Sequence, residues 1–419
     1  MTTPSLRLRA DRSLIRARGS SVRYLLASIV APTAPRREQR LPVNVSFVLD
    51  RSGSMQGENK FPLAVEAVKA SLRLLNEGDR FSLVVFDENI DVVAKSSAAT
   101  PEAKKQALRA LQQIAPRGST DLCSGWMNGC DQVAEAMREG MISRVILLTD
   151  GQANHGEQNR EVLAHHASEL RRRGISTSTF GVGADFDEQL LSAMAHEGGG
   201  TSYFVQSSAQ ITDLVTSELG EVLDVVVPNA VLTVFLPRGV EAKVLNRFTG
   251  RRAHGRTAIT IELGDLISAQ ELDVVVRLRF PLGDIGERVE LRATMAGDTE
   301  AQSLEFTYAN HEANDEQLRD RDVDLEVARL YSARARAKAT EANRRGDFDR
   351  ARRELLETER HIREYAFNDV ELNALADTLR GEIPIYAEVP MAPMALKQSF
   401  YLAESYVKGR NPEGRARRG

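Results

Sequence analysis

The sequence is poor in cysteine, in tryptophan and in long apolar runs. Its two cysteines, Cys123 and Cys130, are too few for a disulfide framework and suit a reducing cytosol. They lie seven apart in a stretch read as helical and fit structural thiols better than a redox pair. No apolar stretch approaches the ~18 residues of a membrane span. The Arg-rich opening, Met1 to Arg18, has no apolar core of signal-peptide length. The expected location is therefore cytoplasmic, without membrane insertion. The phosphate loop Gly-x-x-x-x-Gly-Lys-Ser/Thr is missing, as is a Gly-x-Ser-x-Gly elbow with a plausible triad, which argues against a P-loop ATPase and a triad hydrolase. No enzyme is expected.

What is present is ordinary globular composition, 42% hydrophobic and 27% charged over 419 residues, enough for two to four domains. The formal net charge of −4 hides a division. Residues 1–40 hold nine basic and two acidic residues; residues 41–224 hold sixteen basic and twenty-five acidic. No Lys or Arg occurs from Gly174 to Pro237. An acidic middle segment serves solubility, favours cations and repels phosphates, so nucleic acid is not an expected partner.

From residue 41 to about 220 the chain alternates strand-like and helix-like stretches. Val43 to Leu49 (VNVSFVL) is a near-continuous apolar run, the mark of a strand buried on both faces. Phe61 to Leu75 carries apolar residues at helical spacing. Strands are predicted over 80–86, 90–94, 144–148, 175–181 and 202–205, and helices over 101–114, 121–137, 157–173, 186–196 and 209–219. Pro101 suits the first turn of a helix, and Gly174 ends one. This alternation predicts an α/β class fold with a doubly wound, mainly parallel sheet.

The pattern changes near Asp224. Short strands separated by turn residues are predicted over 231–236, 257–263, 272–280, 288–293 and 303–308, as in an antiparallel β-sandwich. Leu6 to Ile15 and Val22 to Val30 also read as strands. We expect residues 1–40 and 225–310 to form the sandwich, with the α/β domain of residues 41–224 inserted into it. A helical hairpin is expected over 315–383, turning near Gly346-Asp347-Phe348. Residues 384–419 are expected to be a linker, a short helix and a flexible basic tail with five basic residues and one acidic residue from Lys408 onward.

The chemistry concentrates at three loops. Asp50, Ser52 and Ser54 directly follow the first buried strand, in Asp50-Arg51-Ser52-Gly53-Ser54. Ligand sites of parallel sheets lie beyond the carboxyl ends of strands, so this turn places three oxygen-bearing side chains at that edge. Gly118-Ser119-Thr120-Asp121 supplies a second loop there, and Asp150-Gly151 ends another buried strand. Two carboxylates and three hydroxyls then converge. Such donors suit a hard cation, Mg²⁺ first, with Mn²⁺ or Ca²⁺ as alternatives, and the absence of His and Cys argues against zinc. Incomplete neutralisation leaves the ion able to accept a carboxylate from outside. Asp-x-Ser-x-Ser alone occurs often by chance; its position after a buried strand, with the two later loops, makes the signal specific.

FVLDRSGSM, RGSTDL and LLTDG resemble the three loops of the metal-ion-dependent adhesion site of the von Willebrand factor type A family. GVGADFDEQLLSAMAHEGGGTSYFV resembles the end of that domain in bacterial members. The resemblance covers residues 41 to about 220. It implies metal contacts from Asp50, Ser52, Ser54 and Thr120, with Asp150 binding directly or through water. It also implies a protein partner that offers Asp or Glu to the metal, and a last helix (209–219) that shifts on ligation. The flanking strands are similar in layout to bacterial proteins related to inter-alpha-trypsin-inhibitor heavy chains. A scaffold with a purely structural metal and a metal-dependent phosphoryl or ester hydrolase remain alternatives; oligomeric state is not legible. Arg51, Met55 and His155 are expected at the rim of the site, Asp87 and Glu88 as surface charges, Trp126 and Met127 in helix packing, and His165 and His166 on a solvated face.

Overall fold

Strand and helix periodicities in the middle of the chain translate into two layers of helices around a sheet. The computed structural model describes residues 3–34, 40–253, 257–297 and 300–418, which divide into two compact units: Ala34–Val226, and the segments on either side of it.

The first unit is the α/β domain. Its strands are β4 (Val43–Asp50), β5 (Arg80–Phe86), β6 (Ile90–Ala98), β7 (Ile142–Thr149), β8 (Ile175–Val182) and β9 (Gly199–Val205). They form one sheet in the order β6-β5-β4-β7-β8-β9, in which every neighbouring pair is parallel except β5 with β6. Every residue of β4 and β7 is buried, as a sheet covered on both faces requires. The helices are α1 (Lys60–Leu74), α2 (Pro101–Leu111), α3 (Leu122–Ala134), α4 (Arg160–Arg172), α5 (Glu188–Glu197) and α6 (Ile211–Leu223). The doubly wound reading holds, with element ends within a few residues of those expected.

The chain leaves β4 towards β5 and β6, then returns to place β7 on the other side of β4. Strand order reverses there, so the carboxyl ends of β4 and β7 flank a crevice where loops diverge, the place where such sheets bind ligands. Helix α3 sits unusually close to this part of the sheet because of Gly125 and Gly129, one turn apart. A Cβ at Gly129 would come within 2.2 Å of Val48 Cγ2, and one at Gly125 within 2.4 Å of the Phe86 ring. Trp126 between them is fully buried and donates to Thr177 Oγ1 at 3.1 Å. Gly129→Ala should therefore lift α3 from β4 and cost about 1–3 kcal/mol of stability, the usual range for overpacking a filled core. Urea denaturation of the variant checks this.

The second unit contains two further sheets. One has the order β1 (Ser5–Ala10), β3 (Ser21–Val30), β14 (Glu271–Phe280), β11 (Glu241–Val244). The other runs β12 (Thr249–Ala253), β13 (Ala258–Ile267), β10 (Val225–Phe235), β15 (Arg288–Met295), β16 (Gln302–Ala309), β2 (Leu14–Arg16). Phe280 and Phe306, with ring centroids 4.8 Å apart, join β14 to β16. The single strand expected over Leu6 to Ile15 is two strands in different sheets. The buried Asp11 makes the corner, accepting from the Tyr24 amide at 2.6 Å. Strand β2 pairs parallel with β16, so this part is not wholly antiparallel. Two arginines of the basic N-terminal segment pair with acidic residues later in the chain: Arg9 with Asp320 and Asp322, and Arg16 with Asp315.

The hairpin expected over 315–383 is instead three helices beyond a short α7 (His311–Glu316): α8 (Arg321–Arg344), α9 (Phe348–Ala366) and α10 (Val370–Ala387). They share an apolar core of Ala335, Ala339, Leu355, Ile362, Leu372 and Leu379. Helix α8 also packs on the first sheet through Val323, Val327 and Leu330 against Leu26 and Val275. The short helix expected after residue 384 is α11 (Pro393–Val407). The basic tail is held rather than loose: Glu271 N donates to Arg417 O at 3.0 Å, and Arg417 stacks on the Tyr406 ring. Among the described residues no helix is long and apolar enough to cross a membrane.

Candidate metal centre

The sheet's own architecture assembles the site. Strand β4 ends on Asp50, which is fully buried. Its Oδ1 accepts the Ser52 amide at 2.7 Å, and its Oδ2 accepts the hydroxyl of Thr149, the last residue of β7. Ser52 Oγ and Ser54 Oγ lie 3.1 Å apart, and Ser54 Oγ donates to Asp150 Oδ1 at 2.7 Å. Thr120 reaches the same place. A Cβ built on Gly151 would lie 3.3 Å from Thr120 Oγ1, 3.8 Å from Ser54 Oγ and 3.9 Å from Asp50 Oδ2. Oxygens from three loops thus face one small volume, and the missing side chain at position 151 keeps it open. Asp50, Ser52, Thr120 and Asp150 are buried, while Ser54 is exposed, so the cluster opens to solvent on one side.

Backbone bonds tie the loops to one another. Gly53 N donates to Gly118 O at 3.1 Å, Arg117 N to Arg51 O at 2.7 Å, and Asp121 N to Asp87 O at 2.9 Å. Thr120 N donates to Asn154 Oδ1 at 2.9 Å, and Asn154 N returns a bond to Thr120 O at 3.2 Å. Gly118 has φ +70°, and a Cβ there would collide with the Glu88 carboxylate at 1.9 Å. That carboxylate instead receives the Ser119 amide at 2.6 Å, and this bond holds Glu88 below the usual carboxylate range.

Several residues stand elsewhere than expected. Arg51 and Met55 are buried and form no rim. Asp87 is no surface charge but fully buried. It has Arg51 Nε at 3.1 Å and Arg117 Nε at 2.8 Å. Burial alone would raise its carboxyl; Arg117, the Asn89 amide and Arg51 together hold it low. Glu88 is exposed, as expected, but engaged. His155 is at the rim, mostly exposed, with Nδ1 3.4 Å from Asp121 Oδ2. Lys60 belongs to none of the three loop motifs. Its Nζ lies 2.6 Å from Asp150 Oδ2, which makes it a member of the cluster. The only sequence signal for it was a lysine opening a helix, where the helix dipole disfavours a cation.

The donors fit a hard divalent cation. They are two carboxylates and three hydroxyls, all oxygen, around a preformed gap. Among the described residues no group of three or more His, Cys, Asp or Glu gathers as an alternative metal cluster. Burial pushes the Asp50 carboxyl up from 3.8 to about 6, against the lowering effect of its bonds to Ser52 and Thr149. Protons and a cation then compete for the same oxygens near neutral pH. Affinity for Mg²⁺ should be nearly flat above about pH 7 and fall about tenfold per pH unit once pH drops below about 6, because one proton must leave for each ion bound. Calorimetric titrations with Mg²⁺ across that range check the slope.

Residues 44–217 match the sequence model of the von Willebrand factor type A domain. This chain carries such a domain. Domains of this family typically mediate protein–protein interactions. Over 190 residues the chain is 26% identical to Uncharacterized protein YfbK of Escherichia coli, covering 45% of this chain and 33% of that protein. Over 284 residues it is 28% identical to Uncharacterized protein sll0103 of Synechocystis, covering 65% of each. It is 30% identical over 177 residues to human inter-alpha-trypsin inhibitor heavy chain H2, covering 40% of this chain and 18% of that one. The chain thus spans less than two thirds of the length of each. Among solved structures, the von Willebrand factor type A protein from Catenulispora acidiphila superposes with a TM-score of 0.68 at 17% identity, over 90% of this chain and 89% of that one. The ArnB paralog VWA2 from Sulfolobus acidocaldarius gives 0.61 at 17% identity, over 97% and 99%. These two likenesses extend well beyond the type A domain, and at such identity they speak to fold alone.

Proposed function

We propose that the chain is a divalent-cation-dependent protein-binding module and not an enzyme. In this reading Asp50, Ser52, Ser54 and Thr120 hold Mg²⁺, with Asp150 binding directly or through water. A carboxylate of a partner's Asp or Glu completes the coordination. The ion, when bound, supplies an electrophilic centre for that carboxylate. Asp50 orients and charges the inner side of the site, Ser52 and Ser54 present neutral oxygens, and Thr120 closes the gap beside Gly151. The observation that carries the reading is the approach of Asp50 Oδ2 and Ser54 Oγ from the first loop, and Thr120 Oγ1 from the second, to within 4 Å of one point on the third, the Cβ position of Gly151. Three of the five donors are neutral hydroxyls, so the carboxylate charge brought by the loops does not exceed that of the ion, and an outside anion is not repelled from it. The two free cysteines, one half-buried and one buried, suit the reducing cytosol in which we place the protein.

Affinity capture from the native cell tests this. Partners should be retained in Mg²⁺ and lost in EDTA, and Thr120→Ala should lose them in both. Equal capture in EDTA would replace the reading with a scaffold whose metal, if any, is structural.

A further inference from the structure

Lys60 is the first residue of α1, at the helix's positive end, where a cation weakens the helix rather than supporting it. The backbone before it takes an uncommon path: Glu58 and Asn59 have φ of 52° and 56°, left-handed values that non-glycine residues rarely adopt. This path brings the ammonium inward, leaving the side chain 14% exposed, with Nζ 2.6 Å from Asp150 Oδ2. The bend after β8 passes beside it at Gly183, where a Cβ would lie 3.9 Å from Nζ. Asp150 is shared, with Oδ1 taken by the Ser54 hydroxyl and Oδ2 by Lys60.

We infer that Lys60 is the residue that makes the metal-loaded site select an anionic partner group, an inference that rests on the metal-site reading above. Two carboxylates, Asp50 and Asp150, would by themselves cancel a divalent ion and leave no net attraction for an anion. Lys60 cancels one of them. The loaded cluster then keeps one positive charge, which one monoanionic carboxylate of a partner neutralises. The same ammonium opposes the metal, by repulsion and by holding Asp150 Oδ2. Lys60 therefore lowers cation affinity and raises carboxylate affinity, so tight retention of the ion depends more on the carboxylate that binds beside it. A lysine that merely braced α1 against β7 would do neither.

The test uses the full chain with Mn²⁺ as the metal probe and acetate as the carboxylate probe. Electron paramagnetic resonance counts free Mn²⁺, and water-proton relaxation follows acetate displacing bound water. Lys60→Met should bind Mn²⁺ about ten- to a hundredfold more tightly, the effect of removing a unit charge a few ångström away at intermediate dielectric. Acetate should bind its Mn²⁺ complex about tenfold more weakly. Lys60→Arg should restore both wild-type values, and Lys60→Gln serves if the methionine variant fails to fold by circular dichroism. Unchanged Mn²⁺ and acetate affinities in Lys60→Met, with or without lower thermal stability, overturn the inference and leave a structural ion pair. Failure of the metal-site reading is distinguishable: the wild type would then bind Mn²⁺ no better than Asp50→Ala.

Discussion

Replacing Asp50 by Asn should make the metal-free protein more stable at neutral pH while abolishing the further stabilisation that Mg²⁺ gives the wild type. Asp50 is buried to the last atom, and its carboxyl is pushed up to about 6 from an ordinary 3.8. A carboxyl raised by burial gives stability that is complete below its unfolded value and lost as pH rises through its folded value. Above about pH 6 the ionised Asp50 thus costs the apo protein about 3 kcal/mol relative to a neutral group. Asn keeps the acceptor for the Ser52 amide and needs only the Thr149 hydroxyl to reverse its role, so about 1–2 kcal/mol of that cost should be recovered. The advantage should shrink as pH falls through 6 and vanish below about 4. Denaturant titrations in EDTA at several pH values measure it, and repetition in Mg²⁺ shows the lost linkage. An Asp50→Asn protein less stable than wild type in EDTA at neutral pH would mean that the carboxylate is well solvated or paired, against the geometry described.

Asp87→Ala should cost more than any single ligand substitution, about 3 kcal/mol or more, and should weaken metal binding without touching a ligand. Asp87 is a buried anion set between Arg51 and Arg117. Removing it leaves the Arg51 guanidinium buried with only the half-exposed Asp91 at 2.6 Å. Removing one partner of a buried pair is typically worth 3–5 kcal/mol because the other charge is stranded; the Asp91 contact places this case at the lower end. The Asp87 carboxylate also accepts the Asn89 amide at 2.6 Å and shapes the turn after β5. Because Arg51 lies between Asp50 and Ser52 in the chain, its relaxation should spread to the ligands. Thermal denaturation and Mg²⁺ titration of the same variant report the two effects; a stable variant with unchanged Mg²⁺ affinity would show that Arg51 and Arg117 are adequately solvated without it.

The contrast between these residues shows where sequence reasoning reached and where it stopped. The α/β domain was legible almost strand by strand because its buried strands are short apolar runs and its helices carry regular apolar spacing, both local properties. The three candidate loops were legible for the same reason: each directly follows or precedes such an element, and parallel strands bring their carboxyl ends to one edge. Strands β11 and β12 were not foreseen, being short, polar and at sheet edges, where no burial pattern forms. The corner at Asp11 was hidden because a continuous strand pattern does not show which sheet each half joins. The tail read as loose because its basic residues have no local partners; the contacts that hold it come from residues 271 and 406.

By itself, then, the sequence determined the α/β class, the order of its elements and the edge at which oxygen donors gather, since these follow from periodicity and from the direction of parallel strands. Tertiary structure alone decided that Asp87 is a buried counter-ion and not a surface charge, that Arg51 lies under the loop and not on its rim, and that Lys60 reaches Asp150. Each of these depends on which distant side chain fills the space beside it. Charge and hydrophobicity read along a chain carry no information about that neighbour, and for a buried ion the neighbour decides both its ionisation and its role.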